Sequence, residues 1–187
     1  MSGEATPVAD TIAAWAAARA TAGEGAGDPA PSRRSVRDGA VVELREVTRD
    51  TVRAICRLQV APSQRLFVAP NAVSFAEALF EPKSWYRAIY ADDVPVGFVM
   101  LSLDPEGDEG PEFFLWRLMV ADGLQGLGYG RRAVELVADH VRTLPGAREL
   151  LVSWVPEDGG PGAFYLSLGF ELTGEVDDGE VVGRLRL

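Results

Sequence analysis

Residues 41–47, Val41-Val42-Glu43-Leu44-Arg45-Glu46-Val47, largely alternate apolar and polar side chains, the period-two pattern of a half-buried strand. Thr48 or Asp50 can then cap a helix carrying Val52, Ile55, Cys56 and Leu58 on one apolar face. Cys56 on that face reads as a small buried hydrophobe and not as a reactive thiol. A second short helix is expected over residues 74–80, stopped before Pro82. Residues 85–90 and 96–103 read as two strands joined around Ala91-Asp92-Asp93.

An acidic loop broken by Gly and Pro follows over residues 104–111. Residues 113–120 are almost wholly apolar except for Arg117, which suggests a central strand buried on both faces. A glycine-rich turn, residues 121–130, leads into a helix whose apolar positions Ala133, Val134, Leu136, Val137 and Val141 recur at helical spacing up to Pro145-Gly146. Residues 150–155 read as a buried strand, 162–168 as a short helix, and 170–173 with 181–187 as a closing antiparallel pair.

The first forty residues are different. Residues 8–20 can form an Ala-rich helix with Trp15 as its one large anchor, but isolated helices of this length are marginal in water. Residues 21–40 are rich in Gly, Ala, Pro, Ser and Arg and read as a linker. The division is therefore an extension over residues 1–40 and one domain over residues 41–187, which suits a 187-residue chain at roughly 100–200 residues per domain. The longest apolar run, residues 12–18, is too short to span a bilayer and follows Glu4 and Asp10 where a secretory signal needs positive charge. A cytoplasmic location and no membrane partner are the expectation.

Charge and chemistry narrow the field. The net charge of -10 argues against a nucleic-acid partner, which needs a basic surface, and suits a cationic one. With one cysteine and one histidine, Cys56 and His140, an internal disulfide and a Cys-rich zinc site are ruled out, the usual metal-ligand residues are nearly absent, and catalysis must run without a Ser-His-Asp or Cys-His arrangement.

A strand running into a glycine turn and then a helix is a ready anion site, because the first helical N–H groups lack partners and glycine admits close approach. No Gly-Lys-Ser/Thr closes the turn, since Lys83 is the only lysine, so a Walker A loop is excluded. Gly128-Tyr129-Gly130-Arg131-Arg132-Ala133 fits the dinucleotide pattern G-x-G-x-x-A, with Glu157 after the next strand. The chain after Glu157 is too short for the further βα units that such a domain needs.

Gln125-x-x-Gly128-x-Gly130, after the strand Leu115-Trp116-Arg117-Leu118-Met119-Val120, resembles the pyrophosphate loop Q/R-x-x-G-x-G/A of the GNAT acyl-CoA N-acyltransferases. Phe164-Tyr165-Leu166-Ser167-Leu168-Gly169-Phe170 resembles the family's second signature, F-Y-x-x-L-G-F. The resemblance implies an α/β fold: a mixed central sheet of about six or seven strands with a splayed parallel pair, flanked by helices. It implies acetyl-CoA as acyl donor and no metal. Leu118, Met119 and Val120 would run along the pantetheine arm, a backbone N–H near Met119 or Val120 polarising the thioester carbonyl. Gln125, Gly126, Leu127, Gly128, Tyr129, Gly130 and Arg131 would form the loop around the pyrophosphate. Tyr165 matches the family's general acid, which protonates the departing thiolate. Many members carry an Asn seven residues before that tyrosine to bond the pantetheine amide; here Asp158 stands there, and an ionised carboxylate accepts but cannot donate. The resemblance also admits a homodimer through the C-terminal strands.

An ammonium acceptor must lose a proton before it attacks. Glu112, at the start of the central strand, is the candidate base, while Phe114 occupies about the place where some relatives carry a catalytic Glu. The acids Asp92, Asp93, Asp104, Glu106, Asp108, Glu109 and Glu112 fall at hairpin ends, where carboxylates can guide a polycation. Residues 87–98 and 114–119, with weaker support from Phe67-Val68-Ala69-Pro70-Asn71, resemble the GNAT branch of bacterial spermine/spermidine acetyltransferases. Trp85, Tyr86 and Trp116 near the cleft would suit an aliphatic ammonium chain through cation–π contacts. The expected activity is acetyl transfer from acetyl-CoA to a primary amine of a small cationic acceptor, a polyamine first. The alternatives are an antibiotic or protein amino-group acetyltransferase, and a non-catalytic acyl-CoA-binding regulator.

Overall fold

The alternating segments become seven strands of one mixed sheet in a computed structural model of the protein, which describes residues 39–107 and 112–187. The helix around Trp15, and the acids Asp108 and Glu109, lie outside the described residues. The strands are β1 (Val42–Arg45), β2 (Ser84–Ala91), β3 (Val94–Asp104), β4 (Glu112–Val120), β5 (Glu149–Trp154), β6 (Glu171–Asp177) and β7 (Glu180–Arg186). Their order is β1-β2-β3-β4-β5-β7-β6. Every neighbouring pair is antiparallel except β4 and β5, which run parallel and are joined by a crossover through a helix, as parallel neighbours must be.

Four helices accompany the sheet among the described residues: α1 (Val52–Arg57), α2 (Asn71–Ala78), α3 (Tyr129–Arg142) and α4 (Gly162–Ser167). α3 turns Ala133, Val134, Val137, Ala138 and Val141 into the core, the stripe that its helical periodicity marked. It packs on β1 to β4. On the other face α2 sends Phe75 against Tyr86 and Phe98, with ring centroids 5.3 and 5.1 Å apart. The core is therefore two apolar layers about one sheet.

Several local expectations are corrected. α1 has Thr51 at its N-cap, not Thr48 or Asp50, and no side chain caps it; the Thr51 hydroxyl instead accepts the Thr48 N–H at 2.9 Å. Cys56 is only partly buried, and that burial raises its thiol above the usual range. α2 begins three residues early, because Pro70 sets the entry and buried Asn71 donates to the Ile55 carbonyl at 2.8 Å. Leu79 and Phe80 then fall beyond the helix, exposed. β4 buries Phe113, Leu115 and Met119 but leaves Phe114, Trp116 and Leu118 half-buried, so it is not covered on both faces. β6 runs on to Asp177 because Asp178 and Gly179 both adopt positive φ, 45° and 86°, the requirement of a two-residue hairpin turn.

Candidate active site

β4 and β5 pair only briefly. Their parallel register holds Phe114 opposite Leu151 and Leu115 opposite Val152, and then ends. At that point Trp116 is an extra residue on β4, since Met100 pairs with Arg117 while Leu101 pairs with Leu115. A bulge bends its strand, and here it swings β4 away from β5 to leave a gap. The gap is the middle of a cleft of about 1330 Å³, larger than the roughly 300–1,000 Å³ of ordinary small-molecule sites. It has room for a long substrate and a second one.

Backbone direction along the gap follows from two contacts. The Ala121 N–H reaches the Val96 carbonyl on β3 at 2.9 Å, and the Met119 carbonyl lies against Gly97 of β3. Alternation along a strand then turns the polar backbone of Leu118 and Val120 toward the gap. The Val120 carbonyl is already taken by the Gln125 amide at 3.0 Å. Leu118 and Val120 are thus the residues with backbone N–H groups aimed at the gap. Met119 gives its backbone to β3 and its sulfur to Asn71, 3.7 Å from the Asn71 amide nitrogen, so of the two expected donors Val120 faces the gap and Met119 does not, while Leu118 joins Val120 there.

The glycine turn caps one end of the gap. Gly126 and Gly128 have φ of 74° and 85°, a left-handed conformation that favours glycine. Gly128 is the N-cap of α3 and no side chain caps the helix, leaving the positive end of its dipole to the cleft. Gly130 has a different reason: a Cβ there would meet the Phe164 ring at 3.2 Å. Gln125 braces the turn, its amide also donating to Gln64 at 2.7 Å. Arg131 lines the cleft with its guanidinium on the Ser167 carbonyl at 3.2 Å. Arg65, which sequence reasoning missed, lines the same cleft; it directly follows Gln64, the partner of Gln125, and has no motif to mark it. Tyr129 is buried against the cleft wall. Leu127 and Asp158 are exposed and outside the lining, whereas Gly159 and Gly160 beside Asp158 belong to it.

Tyr165, on α4, is 6% exposed and lines the cleft. Its ring is held by Trp154, Phe164 and Phe170 at centroid distances of 5.5, 5.3 and 5.5 Å. Trp154 fits because Gly162 and Gly183 flank it: a Cβ at either would stand 2.6 Å from the indole. No described residue hydrogen-bonds the Tyr165 hydroxyl. Burial, and after it the Glu180 carboxylate, raise the phenol above its ordinary value, so it stays protonated at neutral pH.

The carboxylates are arranged differently from the expectation. Asp92 accepts from the Val41 N–H at 3.0 Å and Asp93 pairs with Arg45 at 3.3 Å, at the far end of β2 and β3. Asp104 pairs with Lys83, and Glu106 does not line the cleft. Glu112 does, as an exposed residue at the start of β4. The sequence reading missed Glu81 and the acids of the β6–β7 hairpin, Glu175, Asp177, Asp178 and Glu180, on the cleft wall; only the β5–β7 pairing carries that hairpin there. Their one local mark is the Asp178-Gly179 turn. Of the three aromatics expected at the cleft only Trp116 is there. Trp85 stacks on His140 of α3 at 4.4 Å, and Tyr86 packs beneath Phe75; neighbours on a strand face opposite ways. Among the described residues no group of His, Cys, Asp and Glu could hold a metal, and no helix is long and apolar enough to cross a membrane.

Comparison with known proteins agrees with this geometry. A family model described as "Acetyltransferase (GNAT) family" matches residues 53–170. The spermine/spermidine N(1)-acetyltransferase of Bacillus subtilis strain 168 is 28% identical over 149 residues, 75% of this chain and 95% of that protein. Among solved structures, an acetyltransferase from Thermus thermophilus superposes with a TM-score of 0.64 at 19% identity, covering 79% of this chain and 97% of the other. A Bacillus subtilis acetyltransferase in complex with CoA gives 0.56 at 17% identity, covering 79% and 99%.

Proposed function

The chain belongs to the acetyltransferase (GNAT) family and is an acetyl-CoA-dependent N-acetyltransferase, and on that premise we propose that its acceptor is a primary amine of a small polycation, a polyamine such as spermidine or spermine. The observation that carries this reading is the charge of the cleft. At the glycine-turn end stand Arg65, Arg131 and an open helix N-terminus, which suit the phosphates of acetyl-CoA; the remaining wall carries Glu81, Glu112, Glu175, Asp177, Asp178 and Glu180, and its cation Arg117 is paired with Glu77 at 3.3 Å. A substrate with several ammonium groups is drawn to such a wall and a neutral amine is not. The name of the Bacillus subtilis relative supports the same acceptor class.

Within this reading, Leu118 and Val120 hold the pantetheine arm by their backbone, and one of their N–H groups stabilises the oxyanion that forms on the thioester. Met119 backs that strand from the core. Gln125 and Leu127 shape the turn, while Gly126, Gly128, Tyr129, Gly130 and Arg131 bind the pyrophosphate or hold the helix end that does. Asp158 contributes through its turn and not its carboxylate. Tyr165 protonates the leaving thiolate, for which its retained proton and position in the cleft suit it. Glu112 and Glu180 are the carboxylates available to the acceptor's proton. A homodimer through the C-terminal strands would pair along β6, one of the two sheet edges, and mass in solution tests it. The acceptor is tested by incubating the protein with acetyl-CoA and a mixture of polyamines, aminoglycosides and peptides. Mass spectrometry should find acetylated polyamine; acetylation confined to a peptide or an aminoglycoside would replace the reading with that one.

A further inference from the structure

We propose that Glu180, held by Ser153, receives the acceptor ammonium and takes its proton, in place of a base on β4. The proposal rests on the amine-acetyltransferase reading and deepens it.

Glu180 opens β7, and its carboxylate accepts a hydrogen bond from the Ser153 hydroxyl of β5. Ser153 is the first residue of β5 beyond Val152, where the parallel pairing with β4 stops. It therefore stands at the mouth of the gap, on the half-buried side of a strand whose other side, Leu150, Val152 and Trp154, is buried. The bond fixes a side chain that otherwise would swing with the hairpin. Tyr165, more than nine-tenths buried, lines the same cleft, and its hydroxyl hydrogen-bonds to no described residue. The Glu180 carboxylate is near enough to act on that phenol electrostatically, so an acid and a base line one cleft.

Glu112 lacks these features. It is exposed, begins β4 eight residues before Val120, and its side chain hydrogen-bonds to no described residue. Glu180 also lies opposite Asp177 in the hairpin register, a like-charged pair that is unfavourable alone and is relieved by a cation.

The ammonium gives one proton to the Glu180 carboxylate, and the neutral nitrogen attacks the thioester carbon. As the C–N bond forms and the C–S bond breaks, the sulfur takes the Tyr165 hydroxyl proton and the phenolate takes the second proton of the nitrogen. Products are the N-acetylamine and coenzyme A thiol, and Glu180 returns its proton to solvent. Since Glu180's negative charge holds up the phenol's affinity for its proton, protonating Glu180 eases the transfer from Tyr165 at the step that needs it.

The test compares spermidine with hydroxylamine, an amine already neutral at pH 7, in the full chain and its Glu180→Gln and Glu112→Gln variants. Glu180→Gln should lose about 10²–10⁴ in kcat/KM with spermidine and far less with hydroxylamine, with acetyl-CoA affinity unchanged by calorimetry. Ser153→Ala, which frees the carboxylate without removing it, should show the same acceptor-selective loss at smaller size, and it carries the comparison by itself if the Gln variant does not fold. Equal losses with both amines, or a spermidine-selective loss in Glu112→Gln alone, would overturn the assignment while leaving the enzyme reading intact. Failure of the unmodified protein to acetylate either amine would overturn both.

Discussion

Gly97 of β3 lies so close beneath β4 that a Cβ on it would stand 2.3 Å from the Met119 carbonyl oxygen. That oxygen is backbone and cannot swing aside, so the two strands meet only because residue 97 has no side chain. The contact keeps Met119 facing β3 and thereby aims Leu118 and Val120 at the gap. Gly97→Ala should cost about 1–3 kcal/mol, as overpacking does, measured as a lower urea midpoint. Its acetyl-CoA affinity should fall as well, because the strand that moves carries the gap-facing amides proposed to hold the pantetheine arm.

Gly128 should separate binding from folding. At φ 85° a Cβ meets strain but open space, so Gly128→Ala should destabilise by about 1–2 kcal/mol. The distorted helix entrance should weaken acetyl-CoA binding, while KM for the amine stays the same. Titration calorimetry against steady-state kinetics reads the split.

Tyr165→Phe keeps the ring among Trp154, Phe164 and Phe170 and removes only the hydroxyl. Stability and acetyl-CoA affinity should be preserved while kcat with spermidine falls about 10²–10⁴-fold. An unchanged kcat would remove Tyr165 as the acid.

The signals legible in the sequence are local ones. The strand, glycine turn and helix from Leu115 to Val141 are contiguous, so their period and their glycines place the turn from the residues alone. Tyr165 is marked by the Phe-Tyr and Leu-Gly-Phe text around it. What cannot be read is what distant chain segments bring together. Glu180 reaches the cleft because β7 inserts between β5 and β6, and no spacing in the sequence states that order. The expectation that Trp85 and Tyr86 line the cleft fails because β3 separates β2 from β4, and the two faces of β2 at these residues are covered by His140 of α3 and Phe75 of α2. The resemblance leads to a splayed pair, but that Trp116 is the extra residue opening it is a matter of register with β3.

His140 gives a pH dependence whose sign is fixed. Burial, then the Arg87 charge, lower its imidazole below the ordinary value, and its Nε2 is buried without a hydrogen-bond partner. The unfolded chain, titrating near 6.5, therefore binds the proton more readily than the folded one. Its contribution is fully present above about 6.5 and is lost as pH falls through the lower folded value. His140→Phe, which keeps an aromatic ring on Trp85, should flatten the fall in urea midpoint between neutral and mildly acidic pH relative to the unmodified protein. An identical slope in both would mean that His140 contributes nothing to that fall.

The most direct measurement of acceptor recognition is kcat/KM by thiol release for spermidine against a monoamine of similar length, at low and high salt. The carboxylate wall predicts a preference for spermidine of at least about tenfold at low salt, shrinking as salt screens it. Equal kcat/KM for the two amines at low salt, or acetyl-CoA binding with no thiol released by either, would contradict a polyamine acetyltransferase.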